Sequence, residues 1–296
     1  MITALRGRPT VSLLTLLTVV SMGMTLWGFW PSSGKTDLVY ATPDNVPLTL
    51  DLDFPSPRGS SSPVILLVLP DGMWGRSYKH VRRCQALITK LTGHDYVVAT
   101  PRYRPPGIYH FPAQVEDLKS AVRWLRANAG RYGLDTGRIG VVGVSSGGWG
   151  ACMLGTTDAQ DGFEGSGDNA DQSSRVQAVA CIGVPADFTI KTWTNGMERL
   201  FLQPLLGARY DEAPELYERA SPAAYATQGD PPFLLFHSRQ DCVVPVEMAR
   251  IFAARLRRAS VPVELVETPG MEHVWNGAKF EGALEQTLEF FDSHLR

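Results

Sequence analysis

The sequence predicts an α/β architecture, a mostly parallel central sheet flanked by helices on both sides. Short, continuous apolar runs recur along the chain, among them VILLVL (Val64 to Leu69) and RIGVVGV (Arg138 to Val144). Such runs mark strands buried on both faces. Between them lie segments whose apolar residues recur every three or four positions, the period of an amphipathic helix. Strands alternating with helices imply parallel pairing through helical crossovers. The 296 residues suffice for one large core, and 44% hydrophobic residues with 9% aromatics is the balance of an ordinary globular domain.

The chain opens differently. MITALRGRPT carries Arg6 and Arg8, and no charge follows from Val11 to Trp30. A run of about twenty apolar residues is enough to span a bilayer, and a basic start before an apolar run is also how a secretory signal begins. Trp27, Phe29 and Trp30 suit an interfacial belt. Ser21-Met22-Gly23 and Ser32-Ser33-Gly34 each offer small residues for cleavage. Residues 1–36 are therefore expected to be a signal peptide or membrane anchor with a short linker, and 37–296 the folded domain. That domain is expected outside the cytoplasm, secreted, periplasmic or anchored to the membrane.

DLVYAT and PLTLDLDF alternate apolar and polar residues, as a half-buried antiparallel pair does. PSPRGSSSP is a turn-rich break before VILLVL. A helix is expected around Arg82 to Leu91, then a strand at YVVAT. Val115, Leu118, Val122 and Leu125 place a strong amphipathic helix between Phe111 and Tyr132. RIGVVGV, QAVACIG, PFLLFH and PVELVE supply the remaining strands, and a closing helix from about Lys279 to Leu295 sets Phe280, Leu284, Leu288 and Phe291 on one face.

Two segments break the rhythm. Thr156 to Ser174 is acidic and glycine-rich, with Asp158, Asp161, Glu164, Asp168 and Asp171, and its spacing does not fit a calcium loop. It reads as a solvated loop. Pro185 to Asp230 is long for a connection. Its Trp193, Met197, Phe201 and Leu202 suit either a small cap over a site or an extra helix packed on the scaffold. Cys84, Cys152, Cys181 and Cys242 are an even set in a chain expected to be exported, so disulfides are permitted. Cys152 and Cys181 fall on a predicted helix and a predicted buried strand, where a thiol serves as a small apolar group. The formal net charge of −2 and the lack of a basic patch with interleaved aromatics exclude nucleic acid as a partner.

The stretch GVSSGGWG (Gly143 to Gly150) joins a predicted strand to a predicted helix. Gly-x-Ser-x-Gly fits it in one frame, Gly143-Val144-Ser145-Ser146-Gly147, which selects Ser145 as nucleophile over Ser146. A serine hydroxyl needs a base, and the base needs an orienting acid. In this architecture they follow in the order serine, acid, histidine. Among the histidines after Ser145, His237 ends a strand before any suitable acid loop and reads as structural. His294 sits in the last turn of the closing helix, where a cation is favoured. His273, in the loop PGMEHVW after the last strand, remains as the base. Asp241, in HSRQDCVVP beyond PFLLFH, is the chosen acid, with Asp187 in VPADF as runner-up. The oxyanion donors expected are the N–H of Ser146 and that of Gly72, in the loop LPDGMWG after VILLVL. Trp74 and Trp149 are candidate walls of the substrate pocket. This chemistry calls for no cofactor and no metal.

These residues resemble the α/β-hydrolase fold, and within it the esterase/lipase branch of hormone-sensitive-lipase-like carboxylesterases and feruloyl or acetyl-xylan esterase-like enzymes. The similarity runs from about Leu38 to Arg296. It is carried by PRYR with FPAQVEDLKSAVRWLRANAGRYGLDTGRIGVVGVSSGG, by ASPAAYATQGDPPFLLFHSRQDCVVP, and by VPVELVETPGMEHVW. The resemblance implies Ser145 as nucleophile, Asp241 as acid and His273 as base. One departure stands out. Where the family usually has His-Gly-Gly-Gly-Trp, this chain has Pro70-Asp71-Gly72-Met73-Trp74, and neither Asp71 nor Met73 adopts glycine's conformations as cheaply.

The expectation is a serine-dependent carboxylic ester hydrolase acting through an acyl-enzyme on a small-molecule or carbohydrate-linked ester. The alternatives are a peptidase of the prolyl-oligopeptidase type, lowered because nothing like a propeller precedes the domain, and a non-catalytic relative that acts by binding.

Overall fold

The computed structural model describes residues 34–70, 82–190, 198–273 and 275–296. Within them an eight-stranded sheet runs in the order β1-β2-β4-β3-β5-β6-β7-β8. The strands are β1 Lys35–Ala41, β2 Leu48–Asp53, β3 Ser62–Val68, β4 Val97–Pro101, β5 Leu134–Val144, β6 Ala178–Ile182, β7 Phe233–Ser238 and β8 Val263–Thr268. The first two pair antiparallel with each other, β2 pairs antiparallel with β4, and every pairing from β4 to β8 is parallel. The continuous apolar runs thus become buried parallel strands and the alternating pair an antiparallel one, but β2 is not half-buried as its pattern implies, since only Thr49 in it escapes full burial.

The pleat decides how the core divides. Successive side chains of a strand point to opposite faces. In β3, Val64, Leu66 and Val68 enter one apolar layer, and Ile65 and Leu67 enter the other. The first layer is closed by α2 (Ala113–Ala127), α3 (Ser146–Thr156) and α4 (Val246–Arg258), through residues such as Leu118, Val122, Leu154 and Phe252. The second is closed by α1 (Arg82–Thr92) and α5 (Gly277–Leu295), through Leu91, Leu284, Leu288 and Phe291. Each such side chain contributes roughly 1.5–3 kcal/mol on burial.

The segment 156–174 corrects an expectation. It is not simply solvated. Phe163 is fully buried, in contact with Phe111 at 5.3 Å between ring centroids. Glu164 accepts from Lys119 Nζ at 2.9 Å and from Arg123 at 2.6 Å, both cations being buried on α2. The acidic composition hid one carboxylate with an interior job. The cysteines described are free thiols, and Cys152 and Cys181 meet in the core with their sulfurs 3.5 Å apart.

The predicted N-terminal signal or anchor lies outside the described residues, but the linker expected to run to residue 36 does not: β1 of the folded domain already begins at Lys35, which pairs with Leu52. Among the described residues no helix is long and apolar enough to cross a membrane.

Candidate active site

The carboxyl ends of β5, β7 and β8 bring three loops together. At the first, β5 turns directly into α3, and Ser145 takes φ 55° and ψ −123° at the turn. That positive-φ conformation costs a non-glycine residue of order 1–3 kcal/mol and persists only where its surroundings hold it. They do so here. Ser145 N–H donates to Ile182 O at 2.9 Å, and Ser145 O accepts from Trp149 N–H at 3.0 Å. The flanking glycines are steric necessities. A Cβ on Gly143 would lie 2.3 Å from Gly147 O, and one on Gly147 2.2 Å from Val68 O. The Gly-x-Ser-x-Gly spacing is thus what lets α3 start so close to β3 and β5.

The other two loops supply an imidazole and a carboxylate. His273 Nε2 lies 2.7 Å from Ser145 Oγ, and His273 Nδ1 lies 2.8 Å from Asp241 Oδ2. Asp241 Oδ1 accepts from the N–H groups of Val243 and Val244 at 2.8 and 2.9 Å. Burial of the Asp241 side chain pushes its carboxyl upward. The hydrogen bond and charge of His273, with those two backbone donors, outweigh burial and hold it below the usual carboxylate range. An ionised acceptor at Asp241 places the proton on His273 Nδ1, which leaves the Nε2 lone pair facing the serine hydroxyl. The arrangement can take a proton from Ser145 Oγ and return it to a leaving group.

Ser145 opens on a cavity of about 210 Å³ whose walls include Tyr103, Gln114, Trp149, Phe188, Leu202 and Val244. Trp149 spends its indole N–H on Ala220 O at 2.7 Å and stacks on Phe188, so it offers the cavity apolar surface only. Gln114 is fully buried. Its amide nitrogen donates to Tyr109 O at 2.8 Å and Arg104 O at 3.3 Å, and Oε1 has no hydrogen-bond partner among the described residues. Leu200, Phe201 and Leu202, with Pro204 and Leu205, also line the cavity. The segment 198–206 therefore lines the cavity and also packs on the scaffold through Leu202, Leu205 and Leu206, so each of the two readings of that long connection holds in part.

The structure brings Ser145, Asp241 and His273 together, with Ser146 as the first residue of α3 and Trp149 in the cavity wall. Gly72 and Trp74 lie outside the described residues, as do Trp193 and Met197. Asp187 is not part of the group. Its Oδ1 accepts from the N–H and hydroxyl of Thr189, and Arg255 lies 3.7 Å from its Oδ2. Sequence reasoning missed Tyr103, Gln114 and Phe188. His237, read from the sequence as a structural residue at a strand end, is one: it is fully buried at the end of β7, with Nε2 2.9 Å from Val244 O and 3.5 Å from Asp241 Oδ2.

The chain is similar to known proteins in both sequence and fold. A family model described as BD-FAE matches residues 50–256. The chain is similar to esterase LipC of Mycobacterium tuberculosis (strain ATCC 25618 / H37Rv), 31% identical over 216 residues that cover 71% of this chain and 52% of LipC. It spans about half the length of LipC and of the similar LipQ and LipM. Among solved structures, a bifunctional GH43-CE protein of Bacteroides eggerthii superposes with a TM-score of 0.76 at 28% identity, over 88% of this chain and 35% of that one. The propionate-bound esterase Est2 of Thermogutta terrifontis superposes with a TM-score of 0.69 at 25% identity, over 88% of this chain and 94% of Est2.

Proposed function

We propose a serine-dependent carboxylic ester hydrolase on this premise: the chain belongs to the BD-FAE family and has the α/β-hydrolase fold. The observation that carries the proposal is the unbroken line of contacts from Asp241 Oδ2 through His273 to Ser145 Oγ, at 2.8 and 2.7 Å, on the wall of an apolar cavity. In this reading Ser145 Oγ attacks the ester carbonyl carbon while His273 Nε2 takes its proton. The C–O bond to the alcohol then breaks, the alkoxide leaves with the proton from His273, and the acyl group stays on Ser145. Water repeats the sequence and releases the acid.

The anionic oxygen of each tetrahedral intermediate needs donors. Ser146 N–H, at the positively polarised N-terminus of α3, is one. Gly72 N–H is the second in this proposal. The apolar lining of the cavity beside Ser145 suits an apolar acyl group. The propionate bound by Est2 supports short acyl esters. Carbohydrate-linked acetates fall within this class.

The test is hydrolysis of p-nitrophenyl acetate and butyrate by the wild type, Ser145→Ala and Ser146→Ala. Activity in the wild type, abolished in Ser145→Ala and retained in Ser146→Ala, supports the proposal. Equal activity in wild type and Ser145→Ala overturns it. We further propose export, with the charge-free run from Val11 to Trp30 after Arg6 and Arg8 as support. A reporter enzyme active only outside the cytoplasm, fused after residue 36, tests this and should be active.

A further inference from the structure

His237 and Ser238 are consecutive residues at the end of β7, both buried, at 0% and 1% exposure. Being consecutive on a strand they project to opposite faces, and each holds one of the two loops that carry the proton-relay residues. On one side His237 Nε2 sits 2.9 Å from Val244 O. The carbonyl only accepts, so Nε2 carries the proton and donates it. His237 Nδ1 has no hydrogen-bond partner among the described residues, as suits the lone-pair nitrogen of a neutral ring. The same peptide stretch turns its N–H groups inward, Val243 and Val244 both donating to Asp241 Oδ1. His237 therefore grips from behind the loop that grips the acid.

On the other side Ser238 Oγ donates to Glu272 O at 2.7 Å, one residue before His273. It also accepts from the indole N–H of Trp275 at 2.7 Å, two residues after His273. One hydroxyl thus ties down both flanks of the imidazole. The 2.8 Å contact between His273 and Asp241 joins two loops, and both are referenced to the same two residues of one strand.

We infer that His237 and Ser238 are a pair of positioning residues, a clamp at the end of β7 that sets the register between the acid loop and the histidine loop. The inference rests on the hydrolase reading for its kinetic consequence. Its structural content, the alignment of His273 on Asp241, stands apart from turnover. Misplacing a reacting group by about 1 Å costs on the order of 100-fold in rate.

The experiment compares wild type, His237→Leu, His237→Gln and Ser238→Ala in two ways. One is kcat and KM on p-nitrophenyl butyrate. The other is the downfield proton NMR signal of the His273 Nδ1–H bonded to Asp241. His237→Leu removes the donor to Val244 O, whereas the amide N–H of His237→Gln reaches nearly the same place. Expected are a kcat lower by about 100-fold in His237→Leu and about 10-fold in Ser238→Ala, with KM within about 3-fold of wild type. The downfield signal should be lost or broadened in both and kept in His237→Gln, whose kcat recovers to within about 10-fold. Folded His237→Leu and Ser238→Ala proteins that keep the signal and the wild-type kcat overturn the clamp. A Ser238→Ala protein alone with these properties overturns the half that holds the histidine loop. A wild type that shows the signal but hydrolyses no ester overturns the hydrolase reading, and the signal in the variants still decides the clamp.

Discussion

Replacing Asp241 with Asn changes almost nothing in shape, and the site's hydrogen bonds dictate how the new amide must sit. Oδ1 already accepts two backbone N–H groups, from Val243 and Val244 at 2.8 and 2.9 Å. An amide –NH2 turned towards them would set donors against donors. The asparagine carbonyl must therefore stay there, which turns the –NH2 towards His273 Nδ1, 2.8 Å away in the wild type. A donor at that place forces the lone pair onto Nδ1 and the proton onto Nε2. The imidazole then faces Ser145 Oγ with an N–H and has no lone pair to take the hydroxyl proton. Amide-for-carboxylate exchange at such an acid typically lowers kcat about 10⁴-fold, roughly 5.5 kcal/mol of barrier. The assay is steady-state hydrolysis of p-nitrophenyl butyrate by Asp241→Asn, with circular dichroism to confirm the fold. A kcat within 10-fold of wild type would refute the tautomer argument.

Other perturbations test how the site is built. Gly147→Ala puts a methyl group 2.2 Å from Val68 O. It should cost about 3 kcal/mol of stability and abolish ester hydrolysis; an unchanged melting temperature contradicts the steric argument. Glu164→Ala strips the shared carboxylate from buried Lys119 and Arg123 and should cost about 3 kcal/mol in urea unfolding, whereas a loss below 1 kcal/mol would show that water reaches both cations. Asp230 gives a pH signature. Burial pushes its carboxyl up to about 6 against the pull of Thr227 and Arg175. The folded state therefore binds the proton more tightly, and stability falls as pH rises from the unfolded value near 4 through 6. Asp230→Asn cannot ionise, so its stability relative to wild type should improve by about 2 kcal/mol between pH 4 and pH 8. A difference that does not change with pH contradicts the assignment.

Most of the sheet is legible in the sequence because strand burial writes itself as composition. The apolar run Val64 to Val68 of β3, buried on both faces, is uninterrupted, whereas β1 and β2 alternate; β1 is largely exposed, but β2 is buried at every residue except Thr49, Asp51 and Asp53 included. The nucleophile is legible for a steric reason, since glycines at 143 and 147 are what the turn can hold. His273 follows from chain order. Asp241 and Asp187 both end up in loops after strands; chain position favours Asp241 without forcing it, and tertiary geometry separates them, one bonded to an imidazole and the other to Thr189. The segment 198–206 resists reading because its apolar residues fit a cap and a packed helix equally, and position over the cavity is not a local property. Glu164 resists for the opposite reason. It sits among four other acidic residues, and its buried partners, Lys119 and Arg123, lie more than 40 positions away.

The most direct test is to treat the protein with a fluorophosphonate ester and map the adduct by peptide mass spectrometry, since only a serine activated by a base reacts readily. The expected result is a single adduct on Ser145, absent in Ser145→Ala and strongly reduced in Asp241→Asn. A protein left unlabelled while correctly folded, or an adduct on Ser146, would contradict the assignment of Ser145 as the nucleophile of an ester hydrolase.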